Sequence, residues 1–198
     1  LLMHRALFGR RVVRTSILIP YGIVTVVAAL GWRFAFDPTT GFVNAWLHTD
    51  TAWFASRPTA LTVIILTEIW KTVPFMALLL LAGLTLVPQE VVRAARVDGA
   101  GAWTTFWRVR LPLMKSAVLV ALLFRTLDAF RVFDTIYVQT RGAEGTESVS
   151  LVGFNTLITR LNLGLGSAVS VLIFLCVIAI AVAFVKGFGV SPSAGEER

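Results

Sequence analysis

Leu161 to Val185 carries no charged residue. An α-helix rises about 1.5 Å per residue, so a run of this length crosses a hydrocarbon core about 30 Å thick. Lys186 stops it, and the polar stretch Gly187 to Arg198 is expected to be a short disordered cytoplasmic tail. A chain held in lipid must satisfy its backbone N–H and C=O groups internally, which favours helices. The composition agrees. Hydrophobic residues make up 57% of the 198 residues and the mean hydropathy is +0.80. A soluble domain has about 45–50% apolar residues, so the chain reads as an all-α polytopic transmembrane bundle.

Three further spans are expected. Thr15 to Phe36 is the first, with Trp32 and Phe36 as an aromatic belt, Arg33 able to snorkel, and Pro20 placed to kink it. Pro58 to Val87 is the second, interrupted by Glu68, Lys71 and Pro74. Pro112 to Phe133 is the third, carrying Arg125 and Asp128. Between them, Asp37-Pro38-Thr39-Thr40-Gly41 reads as a turn, and residues 42–57 as an external loop with a short interfacial helix. Thr140 to Gly145 reads as a second external turn, leading into an interfacial or re-entrant helix over Glu147 to Arg160.

The net charge of +7 does not point to nucleic acid, because the cations gather at particular ends of the apolar runs. Arg5, Arg10, Arg11, Arg14, Arg93, Arg96, Arg108, Arg110, Lys115, Lys186 and Arg198 all fall on one side of the alternating spans. By the positive-inside rule that side is the cytoplasm. The single cysteine, Cys176, can form no internal disulfide, and His4 and His48 lack metal-ligand spacing. No phosphate-binding Gly-x-x-x-x-Gly-Lys-Ser/Thr loop is present, so no ATP or other cofactor is expected on this chain.

One cytoplasmic stretch is too polar for lipid. Pro88 and Glu90 open a short helix, and Ala94 and Ala95 would let a partner approach closely. Asp98-Gly99 is a turn, with Gly99 free to take positive φ and Asp98 able to cap the next helix. That second short helix, Ala102 to Arg108, carries Trp103, Phe106 and Trp107, and Pro112 sends the chain back into the membrane. The spacing Ala94-Ala95-x-x-Asp98-Gly99-Ala100, then Val109-x-Leu111-Pro112, closely resembles the coupling loop of binding-protein-dependent ABC importer permeases. The segment from Phe130 through Phe133-Asp134 to Tyr137-Val138 and Gly142 is similar to carbohydrate permeases.

The resemblance implies a MetI-type or maltose-permease-like fold over residues 1–187, with a coupling loop at 88–111 and a tail at 188–198. It also implies that the four visible spans belong to an N-terminally truncated six-span subunit. Its implied partners are a second permease subunit, two ATPase subunits that bind the ATP, an extracellular binding protein or lipoprotein, and the surrounding membrane lipid. ATPase coupling would then fall to Glu90, Arg93, Ala94, Ala95, Asp98, Gly99, Ala100, Leu111 and Pro112. Arg93 departs from the family, which usually has Glu there to meet a basic residue of the ATPase. Glu90, three residues earlier on the same face, is the candidate substitute.

A charge at mid-bilayer costs roughly 2.5–3.5 kcal/mol even on the lenient insertion scale, so Glu68, Lys71, Arg125 and Asp128 need a reason. Each acid lies three residues from a base, on one helical face. One reading is that they are structural ion pairs fixing helix register. The other is that two polar stripes line a substrate path. The resemblance to maltose-type permeases favours the path and places sugar contacts at Glu68, Lys71, Thr72, Phe75, Arg125, Ala129 and Val132. Asp128 is added as the partner that orients Arg125. The wording around Glu68 and Arg125 is most similar to actinobacterial trehalose permeases, which implies a disaccharide such as trehalose. Other ABC cargoes (another sugar, a glycerol-phosphate compound, an amino acid, phosphate), a proton-coupled secondary transporter and a membrane enzyme remain as alternatives.

Overall fold

The structure is a computed structural model and describes residues 18–188. The basic stretch at residues 1–14 and the tail beyond residue 188 lie outside the described residues. No strand occurs among the described residues, as an all-α reading requires. The helices are α1, described over residues 18–22; α2, Thr25–Ala35; α3, Phe42–Leu47; α4, Arg57–Thr85; α5, Gln89–Val97; α6, Ala102–Thr105; α7, Leu111–Leu113; α8, Lys115–Phe130; α9, Asp134–Gln139; α10, Val149–Phe154; and α11, Leu163–Phe188. A π turn, Phe106–Arg110, separates α6 from α7, and a second, Asn155–Thr159, extends α10.

Among the described residues, two helices are long and apolar enough to cross a membrane, Arg57–Thr85 and Leu163–Gly187. The other two expected spans are built from shorter pieces. The first is not continuous from Thr15 to Phe36, since the helix breaks at Ile23 and Val24. Val24 is extended, with φ −57° and ψ 134°, before α2 begins. Gly22, a weak helix former, directly precedes the break. The third span is helical as Lys115–Phe130, shorter than Pro112 to Phe133. Pro74 sits inside α4 without ending it.

The chain divides into two compact units. Among the described residues, the first comprises 18–74 and Asp128–Val177, and the second Phe75–Leu127 and 178–188. In the first, Ile64 of α4, Ile136 of α9 and Leu151 of α10 form a buried cluster packed by Val132, Phe133 and Phe154. Phe133 stacks on Tyr137 at 5.3 Å, and Phe154 closes on both rings. The outer loop is tied by Asn44, whose Nδ2 donates to the Thr51 carbonyl and whose Oδ1 accepts from Trp53 Nε1 at 2.7 Å. Small residues permit close crossing, the usual source of helix cohesion in lipid. A Cβ on Gly166 of α11 would lie 2.8 Å from the backbone of Leu157.

In the second unit, Leu84 and Val87 meet Val92 of α5 and Met114, with Val118 beside them. Gly83 brings the end of α4 against Ala117 of α8. Threonines within the helices satisfy themselves by donating one turn back, as Thr67 does to Val63, Thr126 to Leu122 and Thr156 to Val152.

Candidate functional site

In the first unit a cavity of about 610 Å³ opens between the helix break, one face of α4 and the stretch from Asp128 to Thr135. Small-molecule sites usually fall within about 300–1,000 Å³. Glu68, Lys71, Thr72, Asp128 and Val132, separated in sequence, all line it. Their company includes Tyr21, Gly22, Arg131, Asp134 and Thr135, which sequence reasoning did not single out as site residues. The signal for the break was present in Pro20 and Gly22 inside an apolar run.

Hydrogen bonds of neighbouring α4 residues tie the segments around this cavity together. Lys71 Nζ donates to the Ile23 carbonyl at 2.5 Å and approaches that of Tyr21 at 3.5 Å. Glu68 Oε1 accepts from the hydroxyl of Thr135 at 2.5 Å. Thr67 Oγ1 accepts from Gln139 Nε2 at 2.8 Å, one turn further along α9. Thr67, Thr135 and Gln139 are all buried, so these bonds are kept from water and fix α9 on α4. Gln139 Oε1 has no partner among the described residues. The Thr72 hydroxyl donates to the Glu68 carbonyl at 2.6 Å, and Thr72 lines the cavity.

Ala129 is exposed and does not line the cavity. Phe75 and Arg125 belong to the second unit, where Phe75 meets Phe124 edge-on at 6.5 Å. A second hollow of the first unit, about 600 Å³, is walled by Trp32, Phe36, Phe42, Trp46, Trp70 and aliphatic residues. It offers few groups to orient a polar solute. The mixed donors, acceptors and aromatic rings of the first cavity suit a polyhydroxylated one.

The knuckle expected at 88–111 is also present. Pro88 precedes α5, and Val92 is buried as its anchor. Glu90, Arg93, Ala94 and Val97 are exposed at helical spacing, Val97 being 87% exposed. Gly99 has φ +82°, its N–H reaches the Arg96 carbonyl, and the Ala100 N–H reaches Ala95 at 2.9 Å. This is a Schellman closure of α5. Asp98 is therefore the C-cap of α5, whereas sequence reasoning had it capping the next helix. That next helix begins after Gly101 and carries no side-chain cap. It also turns to π geometry at Phe106, where Ala102 to Arg108 was expected to be one helix. Pro112 has no N–H for the turn before it, which favours a widened ladder there. Trp103 and Trp107 pack together at 5.6 Å, with Trp103 75% exposed, and Arg96 and Arg108 stand exposed on the same knuckle.

Known proteins share both the sequence and the fold. Residues 3–189 match the family described as binding-protein-dependent transport system inner membrane component. The chain is 54% identical to the trehalose transport system permease protein SugA of Mycobacterium tuberculosis (strain ATCC 25618 / H37Rv), across 99% of this chain and 64% of that protein. It is 39% identical to the trehalose/maltose transport system permease protein MalF of Thermococcus litoralis, across 94% of this chain and 65% of the relative. The chain thus spans slightly less than two thirds of these relatives. Its fold matches a bacterial ABC transporter involved in alginate import with a TM-score of 0.86, at 20% identity, covering 95% of this chain and 69% of that one. The chain belongs to the binding-protein-dependent transport system inner membrane component family.

Proposed function

We propose that this chain is the membrane-spanning permease of an ATP-driven sugar importer, with trehalose as its cargo, and that it has no enzymatic activity of its own. The observation that carries the reading is the exposed knuckle, an amphipathic helix anchored through Val92 and closed at Gly99, with Val97 and Trp103 bare among arginines. Such an apolar patch rimmed by charge is the form of a protein-docking surface. Its occupant is an ATPase subunit, which binds the ATP and delivers the stroke. A second permease subunit completes the pathway, and an extracellular binding protein hands over the sugar.

The cargo follows from the relatives, whose names include trehalose and trehalose/maltose transport. The polar cavity on α4 is the part of the path that contacts the sugar. In this reading Glu68, Lys71, Thr72, Asp128 and Val132 serve the cavity. ATP-driven closure moves the knuckle, and the sugar's different affinities for the two states give direction.

The test is uptake of labelled trehalose in cells carrying the complete transporter, with and without its ATPase. Uptake that depends on both this chain and the ATPase is expected. Uptake that survives loss of the ATPase would instead indicate a secondary transporter.

A further inference from the structure

A helix that breaks inside a membrane frees carbonyl oxygens that lipid cannot satisfy. In transporters built on broken helices, unwound carbonyls can hold a monovalent cation. Here the break at Ile23 and Val24 faces the cavity, and the carbonyls of Tyr21 and Ile23 point at the Nζ of Lys71. An ammonium has three donors and no acceptor, so it can bridge two carbonyls much as a small cation would. Lys71 reaches them from α4, 48 residues away in sequence from Ile23. One turn earlier on α4, Glu68 reaches Thr135 of α9. The two side chains expected to pair with each other along α4 thus each hold a different wall of the cavity.

We infer that Lys71 is a tethered cation that occupies the carbonyl site of the helix break, making it a positioning residue for the cavity wall at Tyr21 to Thr25. The inference rests on membrane placement and not on which solute is carried. Its cation comes with the chain, so the break needs no bound sodium or potassium to hold its shape.

The test reads the break directly. In the complete transporter with Cys176→Ser, Gly22→Cys places a reporter on the cavity wall, where an added Cβ meets nothing within 4 Å. The rate of labelling by a small charged thiol reagent is then compared with Lys71 intact, Lys71→Arg and Lys71→Ala. We expect Lys71→Arg to stay near the native rate and Lys71→Ala to shift it several-fold. Adding n-propylammonium, which replaces the lost side chain and its N–H donors, should return Lys71→Ala toward the native rate. Tetramethylammonium, with the same charge and no N–H, should not.

An unchanged rate in Lys71→Ala, or equal rescue by both cations, would overturn the inference. If Lys71→Ala fails to reach the membrane, Lys71→Gln replaces it. A native rate in that variant would show that no cation is needed. Because labelling needs no sugar, failure of trehalose uptake in the native chain would be a separate result.

Discussion

The Thr135 hydroxyl donates to Glu68 Oε1 at 2.5 Å, joining α9 to α4 between residues 67 positions apart. Four residues on, Gln139 makes the parallel bond to Thr67. This two-point clasp places Asp134 and Thr135 on the cavity. Interhelical hydrogen bonds in membranes contribute about 1–2 kcal/mol in model peptides. Thr135→Val, which keeps the shape and removes the donor, should therefore lower the thermal unfolding midpoint of the purified transporter. Thr135→Ser should restore most of the loss.

The knuckle depends on a left-handed residue at its corner. Gly99 has φ +82°. A β-branched side chain is a true outlier there and costs about 1–3 kcal/mol. Gly99→Val should abolish sugar uptake and ATPase association while leaving the chain in the membrane, as read by co-purification and immunoblot. Normal association would count against docking through this corner.

Packing of α11 has its own test. Gly166 lies against the Leu157 backbone, whereas Gly164 meets nothing within 4 Å of an added Cβ. Gly166→Ala should destabilise the chain by about 1–3 kcal/mol, in line with overpacking elsewhere. Gly164→Ala should have little effect in the same thermal assay.

The external turn titrates only in acid. Asp37 Oδ1 accepts the Thr40 N–H at 2.9 Å, and it also accepts from the Thr39 hydroxyl, the Thr39 N–H and the Thr40 hydroxyl. Led by the Thr40 N–H, these bonds hold its carboxyl well below the ordinary value of 3.8. A depressed folded value means the turn is supported above about pH 4 and loses that support as the pH falls further. Hydrogen exchange at the Thr39 and Thr40 amides should therefore rise in acid in the native chain. In Asp37→Ala it should be raised already at neutral pH, after allowance for intrinsic exchange.

Much of this was legible in the sequence because lipid imposes simple rules. The charge-free run at Leu161 to Val185 could hardly avoid helix, which it forms from Leu163 onward, and the knuckle could be read from Pro88, Gly99 and its arginines and aromatic residues. The break at Ile23 was less legible. Pro20 and Gly22 weaken a helix, but what stabilises the opened carbonyls is Lys71, a long-range partner that periodicity cannot reveal. The same holds for Thr135 and Gln139, which look like ordinary polar residues until α9 folds onto α4. Helical spacing placed Glu68 beside Lys71 and Arg125 beside Asp128. It could not say that Glu68 and Lys71 also reach outward to different segments.

The central claim is that the α4 cavity is the sugar-contacting part of the path. Its most direct test is the initial rate of labelled trehalose uptake by the complete transporter carrying the native chain, Asp128→Ala or Thr72→Val, at equal membrane levels. Both variants should show a raised KM or lost uptake, with association of the ATPase unchanged. Native KM and rate in both variants would contradict that claim.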